Sequence, residues 1–164
     1  MPEYTLAPIG ESDRRGVVDI FNHYVENTFA AYPEERVPDA FFDLFLGIAR
    51  THPAVAVRDA AGEVAGFGML RPHNPMPAFA RTAEITYFLR PDLTGRGIGA
   101  DLLGYLEAEA RKCGIACILA SISSLNEGSI RFHRRHGFTE CGRFQNVGAK
   151  RGVLFDVVWM QKEL

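Results

Sequence analysis

The sequence is poor in cysteine, with three in 164 residues: Cys113, Cys117 and Cys141. An odd count at loose spacing argues against a disulfide framework and against a zinc knuckle. The five histidines, His23, His52, His73, His133 and His136, show no metal-ligand spacing with them, so no metal is expected. Long apolar runs are also missing, and nothing approaches the ~20 residues of a membrane span. The opening Met1-Pro2-Glu3-Tyr4 lacks a basic start followed by an apolar run, so no signal peptide is read. Nor is there an excess of one charge. Lys and Arg number 18 against 20 Asp and Glu, a net charge of −2. That balance argues against a nucleic-acid partner or an anionic membrane surface. A cytoplasmic setting is the default reading.

What is present is an ordinary globular balance, 47% hydrophobic and 23% charged. The length fits one domain spanning residues 1–164, able to bury roughly 70% of the surface of its unfolded chain. Basic residues gather late, at Arg131, Arg134, Arg135, Arg143, Lys150 and Arg151. Such a local cluster suits a phosphorylated small molecule better than a polyanion.

Periodicity divides the chain into alternating elements. Tyr4–Ala7 reads as a strand, and Ser12-Asp13 as the N-cap of a helix carrying Val17, Ile20, Phe21, Tyr24 and Val25. A second helix follows Pro38, with Phe41, Phe42, Phe45, Leu46 and Ile48 on its buried side. Ala54–Arg58 and Val64–Leu70 form a hairpin about the turn at 59–63. Arg71–Ala80 holds Pro72, Pro75 and Pro77 and reads as a loop over a site. Ala83–Leu89 is a strand stopped by Pro91. Ile98, Leu102, Leu106 and Ala110 stack on one helix face, which Gly114 ends. Ile115–Ser121 is a buried strand, Asn126 opens a short helix that Gly137 closes, and Phe138–Arg143 and Val153–Met160 are the last strands. The order predicts one α/β domain: a mixed, mostly antiparallel central sheet of about seven strands flanked by helices.

The glycines between the fourth strand and the long helix carry the chemistry. In Leu93-Thr94-Gly95-Arg96-Gly97-Ile98-Gly99 they let backbone N–H groups converge with no Cβ in the way. The following helix adds unpaired donors and the positive end of its dipole, which together suit a pyrophosphate. A Walker loop would need Gly-Lys-Ser/Thr where Ile98-Gly99-Ala100 stands. A dinucleotide fold would need an acidic residue ~20 positions on, where Ser121 stands.

Set between Glu84–Leu89 on one side and Asn126 with Phe132-His133-Arg134-Arg135-His136-Gly137-Phe138 on the other, this loop resembles the GCN5-related N-acetyltransferase (GNAT) superfamily. Ile20-Phe21-Asn22-His23-Tyr24-Val25-Glu26-Asn27-Thr28, Val147-Gly148-Ala149-Lys150 and Asp156–Leu164 narrow the likeness to the phosphinothricin and methionine sulfoximine acetyltransferase family. The resemblance covers nearly the whole chain. It implies an acetyl-CoA-dependent N-acetyltransferase acting by direct attack of the primary amine of a small amino-acid-like acceptor, and a homodimer. It implies a cofactor site of Tyr87, Phe88, Leu89, Thr94, Gly95, Arg96, Gly97, Ile98, Gly99, Ala100 and Asn126. Thr94 is a departure, since the superfamily usually has Arg or Gln three residues before Gly97. Weaker anchoring is expected, with Arg96 as a compensating charge.

Acetyl transfer needs a neutral amine, and an ammonium of pKa ~8 to 10.4 adds roughly 1.4 to 4.6 kcal/mol to the barrier at pH 7. Glu84, on the otherwise apolar Ala83-Glu84-Ile85-Thr86-Tyr87-Phe88, is the candidate base, or else an ion-pair partner for an arginine such as Arg81. His133 stands where many superfamily members have a tyrosine and is the candidate acid for the departing thiolate, or else a partly buried helix residue. His136 reads as a helix-end histidine. The acceptor side is framed by Thr28, Phe29, Tyr32, Arg71, His73 and Arg81, with Arg71, Arg81 or Lys150 as the cation for a carboxylate. Lys150 and Asp156 are alternatively a structural pair. Phe29-Ala30-Ala31-Tyr32 replaces the family's more polar stretch, which leaves the acceptor open. Two other readings remain: a protein or peptide N-terminal acetyltransferase, and a non-catalytic acyl-CoA-binding module.

Overall fold

Seven stretches of β-branched and alternating apolar residues pair into one continuous sheet in the computed structural model, which describes residues 3–164. Met1 and Pro2, where the signal-peptide reading begins, lie outside the described residues. The strands are β1 (Tyr4–Pro8), β2 (Ala54–Asp59), β3 (Val64–Pro72), β4 (Thr82–Leu89), β5 (Cys117–Ser123), β6 (Thr139–Lys150) and β7 (Val153–Glu163). Their order is β1-β2-β3-β4-β5-β7-β6, and all neighbours are antiparallel except β4 and β5. The helices are α1 (Arg14–Asn27), α2 (Phe42–Ala49), α3 (Ile98–Lys112) and α4 (Glu127–Arg135).

The period of two in each strand sorts side chains between two cores. On one face Ile85, Ile118, Ala120, Ile122, Val158 and Met160 pack with Leu102, Leu106 and Ala110 of α3 and Ile130 of α4. On the other, Phe67 and Met69 of β3 pack with Val17, Phe21 and Val25 of α1 and Phe42 and Phe45 of α2. Gly68 is needed because a Cβ there would lie 3.0 Å from Leu106 and from Tyr87.

The one parallel pair creates the site. β4 and β5 are in register only from Thr82↔Cys117 to Glu84↔Leu119, and beyond that the two strands part. Arg90 N–H donates to Ala65 C=O, so by antiparallel alternation the backbone groups of Ile85, Tyr87 and Leu89 point away from β3, toward the gap, where Leu89 C=O accepts from the Tyr24 hydroxyl at 2.7 Å. Polar backbone is thereby presented at a cleft rather than sealed in a ladder.

Three expectations change. Asp13 does not cap α1 with its side chain. Residues Glu11–Asp13 form a 3-10 turn, and the buried Asp13 carboxylate accepts from Gly10 N–H at 2.9 Å and pairs with Arg58 at 2.7 Å. β6 runs on to Lys150 instead of stopping at Arg143, with shifts of register between Glu140 and Gly142 and between Phe144 and Gly148. It is the outermost strand and exposed along nearly its whole length, so neither face imposes an apolar alternation. The proline-rich loop is shorter at both ends, because Arg71 and Pro72 belong to β3 and Pro77–Phe79 is a 3-10 turn. Pro72 is tolerated because it sits opposite Ala83 in a non-hydrogen-bonded pair, where no N–H is asked of it.

Candidate active site

Two cavities meet at the parting of β4 and β5. One is a groove of about 880 Å³ along the glycine loop, α3 and α4. The other is a cavity of about 400 Å³ between the sheet, α1 and α2. Ala30, Tyr87, Phe88, Asn126 and Ser129 line both, so the junction lies beside these five residues.

The groove is built mostly of backbone. Gly95 (φ 75°) and Gly97 (φ 85°) take the left-handed conformation that other residues avoid, and Gly97 begins α3. Gly97 C=O accepts from Ala100 and Asp101 N–H at 3.1 and 3.2 Å, while the N–H groups of Gly95 through Gly99 make no hydrogen bond among the described residues. Five free donors at a helix start with no side chain over Gly95 or Gly97 fit a diphosphate. Thr94 lines the groove with its hydroxyl turned back onto Pro91 C=O at 2.9 Å. Leu89, Gly99 and Ala100 line it as well. Ile98 instead faces the core and is buried. Arg96 lies in a separate hollow with Tyr4, Arg90 and Asp92, away from the groove. The one Lys or Arg among the described residues that line the groove is Arg135 of α4, which the sequence signalled only as one of a basic run; His136 lines it as well.

Asn126 serves two demands. Its Oδ1 accepts from Ser129 N–H at 3.3 Å, capping α4, while its side chain borders both cavities. The cap and the ligand-facing roles are compatible.

His133 is buried, and its surroundings define its tautomer. Nδ1 lies 2.7 Å from Ser129 C=O, which only accepts, so Nδ1 carries the proton. Nε2 lies 2.6 Å from the Tyr87 hydroxyl and accepts from it. Burial lowers the His133 pKa, opposed in part by the Ser129 carbonyl, so the ring is neutral. Burial and, secondarily, Glu107 raise the Tyr87 phenol, which keeps its proton. Both ring nitrogens of His133 are thus engaged, and its route to the junction runs through Tyr87.

On the opposite face of β4, Glu84 stands across from Arg71 in the β3 register. Arg71 meets one of its carboxylate oxygens at 2.6 Å and His73 Nδ1 the other at 2.9 Å, and the carboxylate is only 12% exposed. Arg71 lines the cavity and so do Thr86 and Ser121, which share its face; Glu84 is not itself in the lining and adjoins it through Arg71, 2.6 Å away. Tyr32 lines the same wall, stacked on Phe155 at 5.7 Å. Burial raises its phenol, with Ser121 and then Arg71 acting in the other direction.

The remaining acceptor candidates stand elsewhere. Arg81 pairs with Glu163 at 3.4 Å on the far end of the sheet, so the arginine that meets Glu84 is Arg71. Phe29 packs toward Phe155, and Thr28 closes the end of α1 through Tyr24 C=O, so the adjacent Ala30, Ala31 and Pro33 line the cavity instead. Lys150 is 1% exposed, and its ammonium donates to the carbonyls of Val25 (2.6 Å), Thr28 (2.8 Å) and Ala31 (2.7 Å). Its charge pins the acceptor wall and is not available to a carboxylate. Asp156 pairs with Arg143, not with Lys150. Among the described residues no helix is long and apolar enough to cross a membrane, and no three His, Cys, Asp or Glu side chains cluster as metal ligands.

A parted parallel strand pair, a free-amide loop at a helix start and a buried Tyr–His couple at their junction are features of a domain that binds an acylated cofactor. The chain matches the Acetyltransferase (GNAT) family over residues 17–138 and belongs to that family. It is 36% identical to an L-methionine sulfoximine/L-methionine sulfone acetyltransferase of Pseudomonas paraeruginosa, with 98% of this chain and 94% of that one covered. It is 32% identical to a phosphinothricin N-acetyltransferase of Streptomyces coelicolor, covering 99% and 97%. The fold superposes with a TM-score of 0.93 on a GNAT superfamily phosphinothricin acetyltransferase from Sinorhizobium meliloti in complex with AcCoA, at 29% identity over 99% of this chain and 89% of that one. The chain is an acetyl-CoA-dependent N-acetyltransferase.

Proposed function

We propose that this enzyme acetylates the primary amine of a free, small amino acid, using Glu84 as base. The observation that carries the reading is the Glu84–Arg71 pair at the edge of the small cavity, 2.6 Å apart. It sets a carboxylate able to take an ammonium proton beside a cation able to hold an α-carboxylate. A cavity of about 400 Å³ is near the lower end of ligand sites, which run roughly 300–1,000 Å³, and suits a free amino acid better than a peptide.

When bound, acetyl-CoA supplies an acyl group activated as a thioester, whose sulfur must be stabilised as it leaves. Gly95 through Gly99 hold the diphosphate by their free N–H groups, Arg135 adds a positive charge, and the inward Tyr87 backbone and Leu89 N–H receive the extended arm. Glu84 removes the proton that would otherwise block the attacking nitrogen. At rest Tyr87 donates its single O–H to the neutral His133 Nε2, and on this reading it gives up that bond to turn the O–H toward the sulfur as the thiolate forms. Because burial raises the Tyr87 phenol, it offers the sulfur a hydrogen bond, and water completes the protonation.

The working form in this reading is a cytoplasmic homodimer. β6 is a long edge strand, and Phe144, Val147 and Leu154 on the β6–β7 hairpin are 58–59% exposed, an apolar edge that a second copy would cover. Sedimentation of the parent and of Leu154→Glu tests this, with dimer expected for the first and monomer for the second.

Release of coenzyme A from acetyl-CoA, measured across free amino acids, polyamines and short peptides, tests the activity. Turnover restricted to free amino acids is expected. Measurable cofactor binding without turnover of any amine would leave a binding module, and preference for peptides would favour the protein-directed reading.

A further inference from the structure

The wall of the acceptor cavity changes in character along one sheet face. Residues paired across β3 and β4 run from Arg71↔Glu84, through Met69↔Thr86, to Phe67↔Phe88. The far end is apolar and continues into α2. Beyond Thr86 the cavity is lined by Met69 and Phe88 from the sheet, by Phe41 just before α2, and by Leu44, Phe45 and Ile48 of α2. Arg71 is the one Lys or Arg among the described residues that line this cavity, and on the reading above the α-carboxylate takes it. Lys150, the other cation nearby, is consumed by three carbonyls.

We infer that the acceptor, on the reading above, is an α-amino acid with a neutral, apolar side chain of branched-aliphatic, thioether or aromatic type. The α-carboxylate on Arg71 and the amine at Glu84 place the side chain against Met69, Phe88 and the α2 wall. A side chain ending in an anion, such as the phosphinate of phosphinothricin or the carboxylate of glutamate, would meet no cation there and lose its water. Apolar burial favours the neutral group, and the missing partner disfavours the charged one.

Steady-state kinetics with leucine, methionine, phenylalanine, glutamate and phosphinothricin provides the test. An apolar amino acid should exceed phosphinothricin and glutamate in kcat/KM by roughly 100-fold or more. Leu44→Arg adds a cation to the apolar wall at a side chain already 59% exposed, so folding should tolerate it. It should raise the phosphinothricin-to-leucine ratio by about 10-fold while leaving acetyl-CoA affinity unchanged. Calorimetric titration of the same five compounds into the coenzyme A-loaded protein reads the preference without turnover. Tighter binding of an apolar amino acid supports the inference even if no amine is acetylated, an outcome that would overturn only the enzymatic reading. Equal or better binding and turnover of phosphinothricin or glutamate, with no response to Leu44→Arg, would overturn the inference and leave the enzyme intact.

Discussion

The two cavities that meet at Tyr87 are made of different materials. The cofactor groove is held by amide groups of a five-residue loop, and most side chains there need only stay out of the way. The acceptor cavity is held by side chains from many separate segments, among them α1 and the stretch after it, α2, β3, β4, β5 and α4. A backbone-built site tolerates change in its neighbours provided that φ and helix position are kept. A side-chain-built site can change ligand with one substitution. The shared fold therefore constrains the donor tightly and the acceptor loosely.

The largest effect expected on this contrast is at Glu84. Glu84→Gln should lower kcat/KM for the acceptor by about 10² to 10⁴ at neutral pH. The deficit should narrow as pH rises, because the amine then loses its proton unaided. A pH–rate profile that overlays the parent's would remove Glu84 from the chemistry.

Lys150→Met should destabilise the fold by about 3 kcal/mol, since three buried carbonyls lose their donor. In thermal melts that is a fall of about 6 to 12 °C for a chain of this size. Acceptor KM should rise with it, while acetyl-CoA affinity should hold, because the pinned segment borders mainly the acceptor cavity. Tyr87→Phe should reduce kcat by about 10-fold with little change in acceptor KM, the pattern of a group felt only as the sulfur leaves.

The smallest effect is on stability against pH. The folded His133 has a pKa below its unfolded value of about 6.5, so the unfolded chain binds more protons as pH falls through that value. Stability contributed by the neutral ring is fully present above about pH 6.5 and is lost below it. The buried side of His52 adds a change of the same sign. A melting temperature that rises on acidification from pH 7 to 5.5 would contradict the assignment of a neutral His133.

The same contrast explains what the sequence disclosed. Helices and central strands were legible because burial on a defined face enforces period, as in Ile98, Leu102, Leu106 and Ala110. The glycine loop was legible because a positive φ leaves its mark on residue type. β6 was not, since an exposed edge imposes no alternation on Gln145-Asn146-Val147-Gly148. Glu84 drew notice by standing in an apolar strand, yet its partner was sought one strand-end away at Arg81. Only the antiparallel register across β3 brings Arg71 to it. Arg135 was hidden in a run with Arg131 and Arg134 on α4, of which only Arg135 lines the groove. Tyr87 was read for its backbone, and its hydroxyl gained meaning only from the fold that carries it to His133 across 46 residues.

The separation of backbone-held donor from side-chain-held acceptor is tested most directly by titrating acetyl-CoA into the parent, Gly97→Val and Glu84→Gln proteins. A β-branched residue forced to φ 85° costs about 1–3 kcal/mol in strain or displaces the loop. Acetyl-CoA binding is expected to weaken by about 10-fold or more in Gly97→Val and to stay unchanged in Glu84→Gln. Equal affinity in all three proteins, or a loss in Glu84→Gln as large as in Gly97→Val, would contradict that separation.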